Sequence, residues 1–251
     1  TTTYYLKVCP SLSVDSVTVF IQNNPVFNIT TDTTTCFGGN DGSAQAYGML
    51  PTYTYLWSNG QSGPSVANLT AGFYNVVAST PLGCTTTLNF SITQPAAMNV
   101  VFNGTPALCF NQASGTLQAN ASGGTAPYNY QWVSPAVSGN IITNVLPGNY
   151  TVNITDNNGC ALSANGSVVS PLPLVATVTA LNDVSCNGGS DGNVQVGIVG
   201  GTAPYAIDWL TLAFDSVFVN NLSAGNYVAE VTDANACMAT VVATISEPLP
   251  F

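Results

Sequence analysis

A chain of 251 residues with Lys7 as its one basic side chain, no histidine and a formal charge of −10 has no cations with which to replace counterions on phosphates, so nucleic-acid binding is excluded. The same lack excludes polybasic docking to anionic lipid. No apolar run reaches the ~20 residues of a spanning helix, and 46% hydrophobic with 10% aromatic residues is too apolar for disorder.

Such a length allows one large domain or several small ones, and internal repetition decides for several. Residues 1–25 contain YYLKV and SVTVFI, which read as the last two strands of a preceding domain. The first repeat spans 26–95. It opens with the strand VFNIT, continues into CFGGNDG (Cys36 to Gly42), then TYTYLW, NLTAGFYNVVA and TLNFSI. The Asp-Gly pair suits a tight hairpin with positive φ. In TYTYLW, alternation sets Tyr53, Tyr55 and Trp57 on one face.

The second repeat spans 96–171. Here CFNQASG (Cys109 to Gly115) lacks the Asp-Gly pair, and YTVNIT alternates Tyr150, Val152 and Ile154 inward with Thr151, Asn153 and Thr155 outward. The third spans 172–248 and carries CNGGSDG (Cys186 to Gly192), GGTAPYAIDW and NLSAGNYVAEVTDANAC. Residues 249–251 resemble the opening of a further repeat, so the chain reads as a fragment of a longer protein.

No segment holds a helical period. Gly, Pro and Asn punctuate the chain every ~8–12 residues, which predicts an all-β protein of tandem Ig-like antiparallel β-sandwiches in an extended array. Each repeat offers six or seven strands. Six alternating strands put both cysteines of a repeat at one end, but also both termini; seven reverse both conclusions.

Two cysteines per small repeat, far apart in sequence and without histidine or C-x-x-C, suit disulfides in an oxidising compartment better than zinc. The pairs expected within repeats are Cys36–Cys84, Cys109–Cys160 and Cys186–Cys237. Each would close a loop of roughly 50 residues and contribute about 4 kcal/mol in the chain-entropy picture. Cys9 is left over, either unpaired or paired upstream.

C-x-G-G-x-D-G, G-G-T-x-P-Y-x-x-x-W, L-x-x-G-x-Y-x-V and T-D-x-x-x-C together resemble the SprB-type repeat of large Bacteroidetes surface proteins, including gliding-motility adhesins. The resemblance covers 26–248. The third copy matches best; the first has GMLPTY in place of GGTAPY, and the second lacks the Asp-Gly pair. Residues 1–25 look more like the end of an Ig- or PKD-like domain. The resemblance implies export through the type IX pathway and a place on the cell surface, and names no ligand.

The remaining motifs have structural readings beside functional ones. Trp57, Trp132 and Trp209 are expected in the core, packed on an inter-strand disulfide, and Tyr74, Tyr150 and Tyr227 as tyrosine corners. Stacking on glycans is the alternative, strongest for Tyr53, Tyr128 and Tyr205. Asp41, Asp156, Asp191 and Asp233 recur near turns; they read as Asx turns and hairpin residues, with calcium as the alternative and the one cofactor considered. Ser16, Thr33 and Ser216 follow aspartate in D-[S/T] triplets resembling Bacteroidetes O-glycosylation acceptors.

Without an imidazole base or a lysine in the repeats, no catalytic residue is expected. The leading expectation is a non-enzymatic stalk segment of an adhesin or fibre. Its partners are further copies of the repeat, surface glycans, the substratum or a cell-surface anchor, with no nucleic acid and no membrane insertion. A filament subunit assembled by strand addition and an array of glycan-binding modules are the alternatives.

Overall fold

The computed structural model describes residues 4–6, 15–17, 24–48, 52–212 and 214–250. Among these the regular elements are all β-strands. Strands β1 (Tyr4–Leu6) and β2 (Asp15–Val17) pair antiparallel. The first repeat holds β3 (Phe27–Asp32), β4 (Gly42–Gly48), β5 (Thr54–Trp57), β6 (Ser65–Leu69), β7 (Gly72–Ser79) and β8 (Thr85–Ile92). The second holds β9 (Asn99–Thr105), β10 (Gly115–Ser122), β11 (Asn129–Trp132), β12 (Ile141–Val145), β13 (Gly148–Thr155) and β14 (Ala161–Val168). The third holds β15 (Val175–Asn182), β16 (Gly192–Val199), β17 (Ala206–Trp209), β18 (Phe218–Leu222), β19 (Gly225–Thr232) and β20 (Met238–Ile245).

Each repeat is a sandwich of two three-stranded antiparallel sheets. In the first, one sheet runs β3-β4-β6 and the other β5-β7-β8. The second and third repeat this order with β9-β10-β12 and β11-β13-β14, then β15-β16-β18 and β17-β19-β20. Alternation fills the space between sheets. Ala44, Ala46, Val66 and Leu69 face Tyr55, Trp57, Val76 and Ala78 in the first repeat. Val152 and Ile154 are fully buried, with Asn153 and Thr155 exposed between and beyond them. Tyr150 and Thr151, expected on opposite faces, are both half-buried.

Trp57, Trp132 and Trp209 are 3%, 0% and 1% exposed. Their packing partners differ from the expectation, because neither disulfide among the described residues lies in a core. Trp57 meets Phe90 edge-on at 5.5 Å, and Trp132 meets Phe102 at 6.3 Å. The indole N–H groups are satisfied by one recurrent bond each. They donate at 2.9 Å to the carbonyls of Gly63, Gly139 and Ser216.

That bond marks a feature the strand count misses. After β5 the chain doubles back for a few residues: Trp57 N donates to Gln61 O at 2.9 Å and Gly63 N to Tyr55 O at 3.1 Å. Only then does it cross to the other sheet, where Ala46 N donates to Pro64 O. The second repeat does the same through Trp132–Val137 and Gly139–Tyr130. This short reversal is a seventh segment for purposes of direction, although six strands are formed.

Consequently the first repeat begins at one end of its sandwich and finishes at the other. Phe27, which starts β3, pairs with Gly48 and packs on Tyr55. At the opposite end Asp32 finishes β3, and Thr34 N donates to Thr93 O just past β8. Cys36 lies at this far end, beside the finish of β8. Cys84 lies at the near end, immediately before β8 starts. An eight-residue strand at ~3.3 Å per residue separates them by ~25 Å, whereas a disulfide needs Cα atoms within ~7 Å.

Two further turn features differ from expectation. Asp41-Gly42 is not a positive-φ hairpin; that conformation belongs to Gly38, Asn111 and Gly188 at φ 72°, 55° and 74°. Gly42 is required by contact instead, since a Cβ there would sit 2.7 Å from Ile92 Cγ2. Asn68, Asn144 and Asn221 also adopt positive φ, at 59°, 53° and 59°. Each lies one residue before the end of β6, β12 or β18, where the pairing register shifts.

Candidate functional site: the disulfide joints

By its contacts the chain falls into two compact units. The first comprises 1–98, 123–127 and 156–160; the second comprises 99–122, 128–155 and 161–251. The division does not follow the repeats: two short turns from the second repeat's sequence cluster with the first repeat. Among the described residues each unit contains one disulfide, Cys36–Cys160 in the first and Cys109–Cys237 in the second. The within-repeat pairs Cys36–Cys84, Cys109–Cys160 and Cys186–Cys237 are therefore corrected. Cysteines at opposite ends of one sandwich cannot meet, so the far-end cysteine of a repeat joins the near-end cysteine of the next. Cys186 is exposed and forms no disulfide among the described residues. Cys9 lies outside the described residues.

The near-end cysteine sits in a hydrogen-bonded socket. In the first unit, Asp156 is 5% exposed. Its Oδ1 accepts the N–H groups of Asn158 and Cys160 at 2.9 Å each, and its Oδ2 accepts Thr125 N at 2.8 Å. Asp233 is also 5% exposed and takes Asn235 N, Cys237 N and Thr202 N at 2.9, 2.9 and 2.8 Å. Burial alone would push these carboxyls up, but the surrounding backbone N–H groups outweigh it together and hold both below the usual carboxylate range.

The GGT segment forms the other wall. Gly124 N donates to Ala96 O at 2.8 Å, and Gly201 N to Leu172 O at 2.9 Å. A Cβ on Gly123 would lie 2.0 Å from Ala97 O, and one on Gly200 1.9 Å from Pro173 O. Only glycine lets the turn approach the incoming chain this closely.

The far-end cysteine is carried on a loop of matching construction. Thr35 N donates to both oxygens of Asp41 at 3.0 and 3.2 Å, and the Thr35 hydroxyl also bonds Asp41. In the second repeat Leu108 N donates to Ser114 Oγ at 2.8 Å. Serine thus does the work of the missing aspartate. In the third repeat Ser185 N donates to Asp191 Oδ1 at 3.0 Å. Hydrogen bonds from the side-chain hydroxyl and then the backbone N–H of Thr35 or Ser185 hold Asp41 and Asp191 below the ordinary carboxylate range.

Loop and socket meet through a polar clasp as well as the disulfide. Asn158 Nδ2 donates to Thr35 O at 3.2 Å and to Thr125 Oγ1 at 3.1 Å. Asn235 Nδ2 donates to Leu108 O at 3.0 Å and to Thr202 Oγ1 at 3.1 Å. The socket sulfur lies 3.5 Å from the same carbonyl in both joints. Both disulfides span Cα atoms 5.7 Å apart. This asparagine, spaced two residues before the cysteine in TDNNGC and TDANAC, is the residue sequence reasoning passed over; its recurrence in those two copies was the available signal.

The four aspartates are thus occupied by N–H donors. Among the described residues no three His, Cys, Asp or Glu side chains cluster as metal ligands. Tyr74, Tyr150 and Tyr227 donate to the carbonyls four residues upstream, Thr70, Leu146 and Ser223, at 3.0, 2.6 and 2.8 Å. The further tyrosines do not form a repeated platform. Tyr53 and Tyr128 are half-buried, while Tyr205 is 40% exposed. A cleft beside Tyr53 is lined by Tyr47, Tyr55 and Pro64; the corresponding cleft beside Tyr205 is lined by Asp208, Asp215 and Glu230. Thr33 and Ser216 are exposed. The Ser216 carbonyl is the one holding Trp209. Ser16 lies on β2.

No helix among the described residues is long and apolar enough to cross a membrane. No curated protein matches the chain. Similar solved structures include the eight N-terminal Ig domains of Down syndrome cell adhesion molecule, at 14% identity and TM-score 0.39, covering 96% of this chain and 39% of that one. Sidekick-1 immunoglobulin domains 1–5 match at 12% and 0.38, covering 89% and 58%. Titin domains I67–I69 match at 13% and 0.37, covering 91% and 100%. The chain therefore spans less than two thirds of the length of the first two. The family described as the SprB repeat matches residues 101–137 and 178–214, in each case from the repeat's first strand to just past its tryptophan. The chain carries SprB repeats at these two segments, each within a sandwich joined by disulfide to a neighbouring repeat.

Proposed function

We propose that the chain is a non-enzymatic, load-bearing stretch of an exported bacterial surface adhesin or fibre. It spaces an adhesive or anchoring region from the cell and, in a gliding cell, transmits drag. The observation that carries this reading is that each disulfide joins successive repeats, where a lone domain would be stapled to itself. A pull on the chain then passes through covalent bonds at the joints. The two disulfides overlap in sequence, Cys36–Cys160 with Cys109–Cys237. The shortest covalent path from one terminus to the other holds roughly 100 residues of the chain, each ~3.4 Å when extended. Disulfides also fit the oxidising exterior that such a protein meets. With Lys7 the only basic residue, trypsin-like proteases find no cleavage site in the repeats.

Single-molecule extension tests this. The oxidised chain should stop at ~340 Å and the reduced chain at ~850 Å. Equal lengths with and without reductant would overturn the reading.

A further inference from the structure

The third repeat carries a far-end loop built like the two that are already joined. Gly188 matches Gly38 and Asn111 in its positive φ. Ser185 N is held by Asp191 as Thr35 N is by Asp41 and Leu108 N by Ser114. The loop is also braced from behind. Gly188 N donates to Glu247 Oε2 at 2.8 Å, and Asn187 Nδ2 to Pro248 O at 3.0 Å. Gly38 N is braced in the same way by Gln94 Oε1 at 2.7 Å. In both joined copies, the carbonyl before the cysteine accepts the socket asparagine and the cysteine bonds the socket sulfur. The third copy presents the same carbonyl, on Ser185, beside the exposed Cys186.

We infer that Ser185 and Cys186 form a preformed docking point for the Asp-x-Asn-x-Cys loop of a further copy of the repeat. The asparagine amide donates to Ser185 O, and a disulfide seals the joint. This rests on the reading of the joints given above. Sealing is thiol–disulfide exchange with a disulfide donor, either a disulfide-bearing oxidoreductase or a small-molecule disulfide. The Cys186 thiolate attacks the donor, one donor thiol leaves, and the socket thiolate then displaces the second. Two protein thiols are oxidised, the donor disulfide is reduced, and the two protons shed by the protein thiols end on the two donor thiols.

The test lengthens the whole chain by a duplicate of residues 172–248 placed directly after Pro248. It is produced under oxidising conditions with oxidised glutathione, alkylated, digested without reduction and read by mass spectrometry. The expected result is Cys186 linked to the duplicated Cys237, with the duplicated Cys186 alkylated instead. Changing the duplicated Cys237→Ser should return Cys186 to the alkylated pool. Finding no Cys186–Cys237 linked peptide, with every Cys186-containing peptide alkylated or bonded elsewhere while Cys36–Cys160 and Cys109–Cys237 are intact, overturns the docking inference alone. Loss of those two bonds as well would show that the joint reading itself fails. Non-reducing electrophoresis separates the two sources of socket. A band at single-chain mass means docking within the chain; a band at double mass means docking between chains, with the same linked peptide in either case.

Discussion

The turn before Cys84 and the turns before Cys160 and Cys237 share a backbone and differ in what they can hold. In all three the residue four before the cysteine donates its N–H to the cysteine carbonyl, at 2.9 to 3.0 Å. In the first repeat that residue is Thr80, whose Oγ1 accepts Cys84 N at 3.1 Å. In the others it is an aspartate accepting three N–H groups. Where Asn158 and Asn235 reach the neighbouring loop, the first repeat has Leu82, which is 70% exposed. The turn therefore survives exchange of its anchor, because any side-chain oxygen can take the cysteine N–H. The clasp does not, because the leucine at that position has no donor to offer a carbonyl, where Asn158 and Asn235 offer an amide.

Breaking the covalent part of the comparison should have the largest effect. Cys237→Ser frees Cys109 from a link spanning 128 residues, and the chain-entropy picture assigns such a link about 5 kcal/mol. Chemical denaturation under oxidising conditions should show that loss, and alkylation should find Cys109 accessible.

Acid should distinguish the two anchors next. Asp156 and Asp233 have folded pKa values lowered from 3.8. Their contribution is complete above that value and is lost as pH falls through the lower folded values. Melting temperature should therefore fall with acid below about pH 4. The double change Asp156→Thr and Asp233→Thr, copying Thr80, should flatten that fall while lowering the plateau at pH 7. An unchanged acid limb would refute the role given to these carboxylates.

Copying Leu82 into a joint is a milder break. Asn235→Leu removes the donors to Leu108 O and Thr202 Oγ1 and should lower stability by about 1–2 kcal/mol. The Cys109–Cys237 bond should also be reduced faster by dithiothreitol, whereas Cys36–Cys160 should be unaffected. The smallest change is a gain. Ala236 holds φ 63° where Gly83 and Gly159 hold 87° and 86°. Ala236→Gly should therefore stabilise by about 0.5–1 kcal/mol, read from the denaturation midpoint.

Much of the frame was legible because its signals are local. Alternation in TYTYLW and YTVNIT placed Tyr55, Trp57, Val152 and Ile154 inside, and L-x-x-G-x-Y pointed to hydroxyls folded back onto their own turns. The joint was less legible. Its aspartates were visible as turn residues, but Asn158 and Asn235 look like ordinary loop polar residues until the carbonyls of Thr35 and Leu108 arrive from more than a hundred residues away. Ser114 likewise looked like the loss of Asp-Gly. Only the loop geometry shows that its hydroxyl reaches Leu108 N as a carboxylate would.

By itself the sequence determined the class, the repeat, the cores and the presence of cysteine chemistry, since side-chain period and turn residues act over a few positions. Which cysteines pair depended on chain direction, and direction turns on the reversal at Gln61–Gly63 and its counterpart at Val137–Gly139. Those segments are too short to show a period of their own. Yet each reverses the chain once more, carries the two cysteines of a sandwich to opposite ends, and leaves the neighbouring repeat as the one within reach.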